Sequence, residues 1–288
     1  EGNTLPFIAR YRKEQHGELD DQKLREISER LTALRNLDAR RTEISDSLKK
    51  LEVWTQELQD ALDKAETMGQ LDDIYRPYRP KRRTRATIAR EKGLEPLALL
   101  LLMQNEKKKT LDELAAPFVS EEKGVATVED ALQGARDIIA EQISDDADAR
   151  KALRELAFRT GVLVSVKAKD ADSVYGMYYD FHQEVRSIPG HRILAVNRGE
   201  REEFLKVSIQ MEDASSIAVL NRAFVREGSV TTEQVREAAS DAWERLIEPS
   251  IEREVRNTLT ERASAAAVQV FGKNLHQLLM VPPVKGKV

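Results

Sequence analysis

The sequence predicts a mainly α-helical protein, a multi-helix scaffold with one small α+β element containing two short strands. Three observations carry that expectation. Charged residues make up 33% of the 288-residue chain and aromatics only 5%, the profile of helices with long solvated faces. Apolar residues recur at steps of three and four over long stretches. β-branched runs with partial alternation stand out at two places, Val162–Lys167 and Phe204–Ile209.

From Asp20 to Leu51 the apolar positions Leu24, Ile27, Leu31, Leu34, Leu37, Ile44, Leu48 and Leu51 form one stripe. Asp20 or Asp21 can accept from the first free amide groups, so one long helix or two collinear ones are expected. The successive threes at Leu31, Leu34 and Leu37 should make the stripe drift. Thr55 opens the next helix, with Leu58, Leu62 and Ala65 inward and Gly69 as its end. Pro77 and Pro80 predict an extended linker. Thr84 then caps a short helix that stops at Gly93, and Pro96 starts another carrying Leu97–Met103. That run is apolar nearly all round, which predicts full burial. Thr127 followed by Asp130 marks a helix start ahead of Leu132, Ile138, Ile139 and Ile143. A further helix over 149–158 ends at Gly161. Between the two strand candidates, Tyr175–Phe181 reads as a small aromatic core, and Pro189-Gly190-His191 as a turn into a helix. The last third is helical again over 213–226, 232–247 and 249–280. Pro249 fits only a first turn, and about thirty residues at 1.5 Å each give a spine of about 45 Å. Trp54 and Trp243 are expected to anchor helix packing.

Several function classes lack their residues. Cysteine is absent, so no disulfide framework or thiol chemistry is expected, which fits a reducing, cytoplasmic setting. The longest wholly apolar run, Leu97–Met103, is too short to span a bilayer, so no membrane association is expected. Glu1-Gly2-Asn3-Thr4 reads as the start of an excised segment, with no signal peptide ahead of the first helix. His16, His182, His191 and His276 are scattered, and no metal site is expected. Neither common glycine-rich phosphate loop occurs, nor a nucleophile elbow, and no cofactor is implied. The carboxylate pairs Asp20-Asp21, Asp72-Asp73 and Asp145-Asp146 sit where acids stabilise helix ends. No catalytic residue is expected, and the chain is not read as an enzyme.

One segment departs from the rest. Arg76, Arg79, Lys81, Arg82, Arg83, Arg85, Arg90 and Lys92 fall within seventeen positions beside one acid, Glu91, in a chain of formal net charge -4. Something must offset their mutual repulsion. Phosphates of a nucleic acid would do so, and Tyr75 and Tyr78 add faces for stacking. Acids on neighbouring helices would do so equally, making the segment an internal brace. Arg10, Tyr11, Arg12 and Lys13 read as a helix end facing its own dipole.

Several motifs in order carry a resemblance: Asn3-Thr4-Leu5-Pro6-Phe7-Ile8-Ala9-Arg10-Tyr11-Arg12-Lys13-Glu14, Leu71-Asp72-Asp73-Ile74-Tyr75-Arg76-Pro77-Tyr78 running into the basic cluster, Glu91-Lys92-Gly93-Leu94-Glu95-Pro96-Leu97-Ala98, His191-Arg192-Ile193-Leu194-Ala195, Ile247-Glu248-Pro249-Ser250-Ile251-Glu252-Arg253-Glu254 and Asn274-Leu275-His276-Gln277-Leu278-Leu279. They resemble the bacterial Tex family of transcription accessory proteins over essentially the whole chain. The resemblance implies an N-terminal helical region with a helix-turn-helix portion and a long central helix. In the family this precedes a RuvC-like (YqgF) domain, helix-hairpin-helix repeats and an OB-fold RNA-binding domain. The implied organisation is an N-terminal helical domain over 1–161 with its basic segment at 75–92, a small α+β element over 162–211, and C-terminal helices over 212–288 with the central helix at 249–280. The implied function is the scaffold region of a nucleic-acid-binding transcription accessory protein, with RNA or DNA and a transcription complex as partners. Two alternatives stay open: a protein-interaction scaffold that docks RNA polymerase or a ribonuclease, and a non-catalytic part of a nucleic-acid-processing enzyme.

Overall fold

Helices account for most of the chain in a computed structural model that describes residues 3–17, 19–79, 83–169 and 173–281. Contacts divide the protein into two units, Glu1–Lys81 and Arg82–Val288.

The first unit begins with α1 (Leu5–Tyr11) and the single turn α2 (Lys13–His16). The periodic stripe forms one unbroken helix, α3 (Asp21–Lys50), and Asp20 caps it by accepting from the Lys23 amide at 2.7 Å. The stripe is buried in part: Leu24, Leu37, Ile44 and Leu48 are inside, whereas Ile27, Leu31, Leu34 and the final Leu51 are exposed. That is the drift expected from the successive threes. α4 (Gln56–Lys64) is capped by Thr55 as its sequence requires. Gly69 does not end it. The turn comes earlier, at Ala65, because Thr67 and Gln70 form a reciprocal capping box that starts α5 (Met68–Tyr75) with Gly69 inside its first turn. Leu37, Ile44, Leu48, Leu62, Ala65 and Leu71 make the core of this unit, with Trp54 packed against it.

The expected extended linker is corrected in part. Arg76–Tyr78 is a 3-10 turn, and Arg79 is the first extended residue after it. Pro77 occupies an early turn position, where its missing N–H costs nothing.

The second unit opens with α6 (Arg85–Glu91), capped by Thr84, which leaves through Gly93 at φ 82°. Then come α7 (Glu95–Met103), α8 (Leu111–Ala115), α9 (Val128–Asp145) and α10 (Ala147–Thr160). Thr127 and Asp130 form the expected capping box at the head of α9. α7 departs from expectation. Leu97, Ala98 and Leu101 are buried, but Leu99 is 47% exposed, and Leu100 and Met103 also face outward. α7 lies on the outside of the bundle and packs by one face on α9, so composition alone overstates its burial.

Among the described residues three strands follow where two were expected: β1 (Val162–Lys167), β2 (Asp180–Glu184) and β3 (Leu205–Gln210), antiparallel in the order β2-β1-β3. β2 (Asp-Phe-His-Gln-Glu) lacks β-branched residues. Its strand character comes from pairing with β1, which places Phe181 opposite Ser165. Tyr175 and Tyr178 are buried beside the sheet, as a small aromatic core requires. α11 (Gly190–Arg201) crosses between β2 and β3, then come α12 (Asp213–Phe224) and α13 (Thr232–Asp241). A π turn, Ala242–Ile247, joins α13 directly to α14 (Glu248–Leu279). Pro249 has no N–H, and its ring crowds the carbonyl of Arg245 four residues back. A wider turn at that point relieves the clash. At 32 residues α14 is about 48 Å long at 1.5 Å per residue. Trp243 is wholly buried in the π turn and donates to Asp213 Oδ1 at 2.9 Å.

Candidate nucleic-acid interface

The basic cluster divides between the two units. Arg76 sits half-buried in the 3-10 turn, and Arg79 is exposed on extended backbone beyond it. Lys81 and Arg82 lie outside the described residues. The other four gather around α6. Arg83 precedes the helix and pairs with Glu91 at 2.8 Å, with both side chains more than half exposed. Arg85 is the first helical residue, faces outward and makes no ion pair among the described residues.

Arg90 and Lys92 behave differently. Arg90 Nη1 donates to Glu141 Oε2 at 2.6 Å, and the cap residue Thr84 donates through Oγ1 to Glu141 Oε1 at 3.0 Å. Glu141 projects from the C-terminal half of α9 with its side chain only 9% exposed. One carboxylate therefore receives both the start and the end of α6. Lys92 Nζ donates to the Gly124 carbonyl at 2.8 Å, fixing the turn after α6 to the loop ahead of α9. These two cations fasten one helix onto another.

The acids behind α6 respond to the same crowding. Burial pushes the Asp137 carboxyl up, an effect opposed by Arg245 and reinforced by Asp241. Arg245 donates to Asp241 Oδ2 at 2.5 Å and approaches Asp137 Oδ1 at 3.5 Å. The positive cluster on α6 thus overlies a carboxylate-bearing face of α9, and its local field is partly neutralised from within.

Sequence reasoning passed over a second set of cations. Arg150, fully buried on α10, donates to Glu254 Oε1 of α14 at 2.6 Å and to Ser250 Oγ at 2.9 Å, and Arg154 reaches Glu254 Oε2 at 2.9 Å. Partners about a hundred positions apart leave no pattern in a single sequence. Among the described residues no group of three His, Asp or Glu could hold a metal ion, and no helix is long and apolar enough to cross a membrane.

Comparison with known proteins gives the lineage. Residues 106–271 match the Tex central region-like family, and residues 1–49 match the Tex-like protein N-terminal domain. Uncharacterized protein YdcI of Bacillus subtilis is 41% identical over 100% of this chain and 40% of its own length. Transcriptional accessory protein Tex of Neisseria gonorrhoeae is 35% identical over 98% of this chain and 38% of its own length. Human S1 RNA-binding domain-containing protein 1 is 32% identical over 99% of this chain and 30% of its own length. The chain thus spans two fifths or less of these relatives. With a family match across residues 106–271 and a second over the first 49, the chain belongs to the Tex family.

Proposed function

We propose that this chain is the helical frame of a nucleic-acid-associated transcription accessory protein, working in the cytoplasm without chemistry of its own. The Neisseria relative is named for transcription accessory activity and the human one for an RNA-binding domain. The observation that carries the reading is the division of labour inside the basic cluster. Arg90 and Lys92 are consumed in holding α6 on α9, whereas Arg79 and Arg85 are exposed and form no ion pair among the described residues. Phosphate contact in this reading falls to the outward arginines, with Arg76, Lys81, Arg82 and Arg83 as the rest of the grip. A second reading, a scaffold that docks a protein such as RNA polymerase, draws on the exposed apolar residues Leu99, Leu100 and Met103 of α7.

A salt-dependent titration with RNA and DNA oligonucleotides separates the two. Phosphate contact predicts that Arg79→Ala with Arg85→Ala lowers the slope of log K against log salt by about 1.4 to 1.8, at 0.7 to 0.9 per contact. The melting temperature should stay unchanged. No binding to either strand at low salt would reject the first reading and leave the second.

A further inference from the structure

The first unit contains a pocket of about 480 Å³ between α1, α2 and α3. Its polar wall is Asn3, Arg12, Gln15, His16, Ser28 and Arg35, and among the described residues no carboxylate lines it. Ser28 and Arg35 lie seven residues apart, on one face of α3. Other arginines of the same helix find acids: Arg40 pairs with Asp72 at 2.6 Å and Arg41 with Asp38 at 2.5 Å. Arg12 and Arg35 form no ion pair among the described residues. Arg12 is held instead over the Phe7 ring, 5.9 Å from its centroid, so its guanidinium is already placed.

His16 supplies the independent observation. Both of its ring nitrogens are buried and neither has a hydrogen-bond partner. In either tautomer, and when protonated, an imidazole carries at least one N–H, and burying that donor without an acceptor is unfavourable. Two guanidinium groups, an imidazole, a hydroxyl and two amides line it, and the wall offers donors in excess of acceptors. We propose that this pocket binds a phosphate group. A carboxylate ligand has two oxygens, too few to satisfy two guanidinium forks and an imidazole. The oxygens of a phosphate can meet them at once. The group could be free phosphate or the terminal phosphate of a nucleic-acid strand, each of which has at least three free oxygens. In the second case the inference rests on the reading given above, and in the first it stands apart from it.

The test follows the His16 ring resonances of the whole 288-residue chain by NMR, at constant pH and ionic strength. One arm adds inorganic phosphate with chloride as the control ion, and the other adds a single-stranded oligonucleotide carrying a 5′-phosphate. Inorganic phosphate should move the ring signals saturably while chloride does not. Arg35→Gln should weaken the effect about tenfold or more with no change in melting temperature. Arg12→Gln serves as the second variant should Arg35→Gln lose the fold. A shift with the oligonucleotide alone supports a phosphate taken at the end of a strand. A shift with inorganic phosphate in a chain that binds no strand upholds the pocket and rejects only the strand-binding function. The inference is overturned if neither probe moves His16, or if both glutamine variants bind as tightly as the parent.

Discussion

Replacing Arg90 by alanine separates brace from grip. In the parent, Glu141 is almost out of water and receives Arg90 at 2.6 Å and Thr84 at 3.0 Å. Removing one member of a buried pair costs about 3 to 5 kcal/mol, because the other charge stays buried. Arg90 itself is 34% exposed, so water takes over part of its role and the figure should be discounted to about 2 to 3 kcal/mol. For a unit of this size each kcal/mol lowers the melting temperature by about 2 to 4 °C, giving a fall of about 4 to 12 °C. Urea denaturation followed by Trp243 fluorescence reads the second unit, in a Trp54→Phe background that silences the first. Arg85→Ala, which removes an outward side chain, should stay within about 0.5 kcal/mol of the parent. The brace argument fails if Arg90→Ala unfolds at the parent's urea midpoint while strand affinity falls.

Two further perturbations test the interior of the second unit. Glu254→Ala should cost about 3 kcal/mol in urea denaturation, since it takes the Glu254 carboxylate from the fully buried Arg150 and from Arg154. Burial pushes the Glu254 carboxyl up, but Arg150 and Arg154 outweigh it and hold it below the usual range. A depressed carboxylate contributes stability that is present above its unfolded pKa and lost as pH falls through the folded value. The gap between parent and variant should therefore narrow below about pH 4, and a gap that widens in acid would refute the assignment. Gly134→Ala should lower stability by about 1 to 2 kcal/mol despite alanine's better helix propensity. Its Cβ would overlap Leu94 Cδ1 and lie 3.4 Å from Ala89 Cβ, where α6 and its following turn press on α9, and a rise in the urea midpoint would refute that close packing.

What the sequence made legible was local. Asp20, Thr55, Thr84 and Thr127 each cap the helix they precede, because a side-chain acceptor and the amide it serves lie three residues apart. The two β-branched strands were legible for the same reason. β2 was not, since Asp180–Glu184 becomes a strand only when β1 offers it a ladder. The outward face of α7 was not legible either: leucines on all sides signal burial unless the fold places the helix at an edge. The basic cluster shows the limit most clearly. Its charge can be counted from sequence, but Glu141, which neutralises Arg90, lies 51 residues away on another helix. The polar wall of the first unit's pocket was hidden likewise, because Arg12, between α1 and α2, and Arg35, on α3, are far apart in sequence.

The π turn connects these interior charges to the spine. Ile251, Val255, Leu259 and Ala263 bury one stripe of α14 at steps of four, and from Ser264 onward every described residue of the helix is exposed. Glu254 and Arg256 lie two residues apart, about 200° around the helix, and are held from different sides. Arg150 and Arg154 of α10 take Glu254, whereas Arg256 donates to Glu200 of α11 at 3.0 Å and to the Val207 carbonyl of β3 at 3.1 Å. A slip of one residue would rotate α14 by about 100° and remove both clamps along with the apolar stripe. The helix enters from α13 without a loop that could absorb such an error. The extra residue per turn at Ala242–Ile247 therefore sets the rotation at which all three contacts coincide. Pro249 makes that turn favourable where it occurs, and the buried ion pairs contribute orientation more than strength.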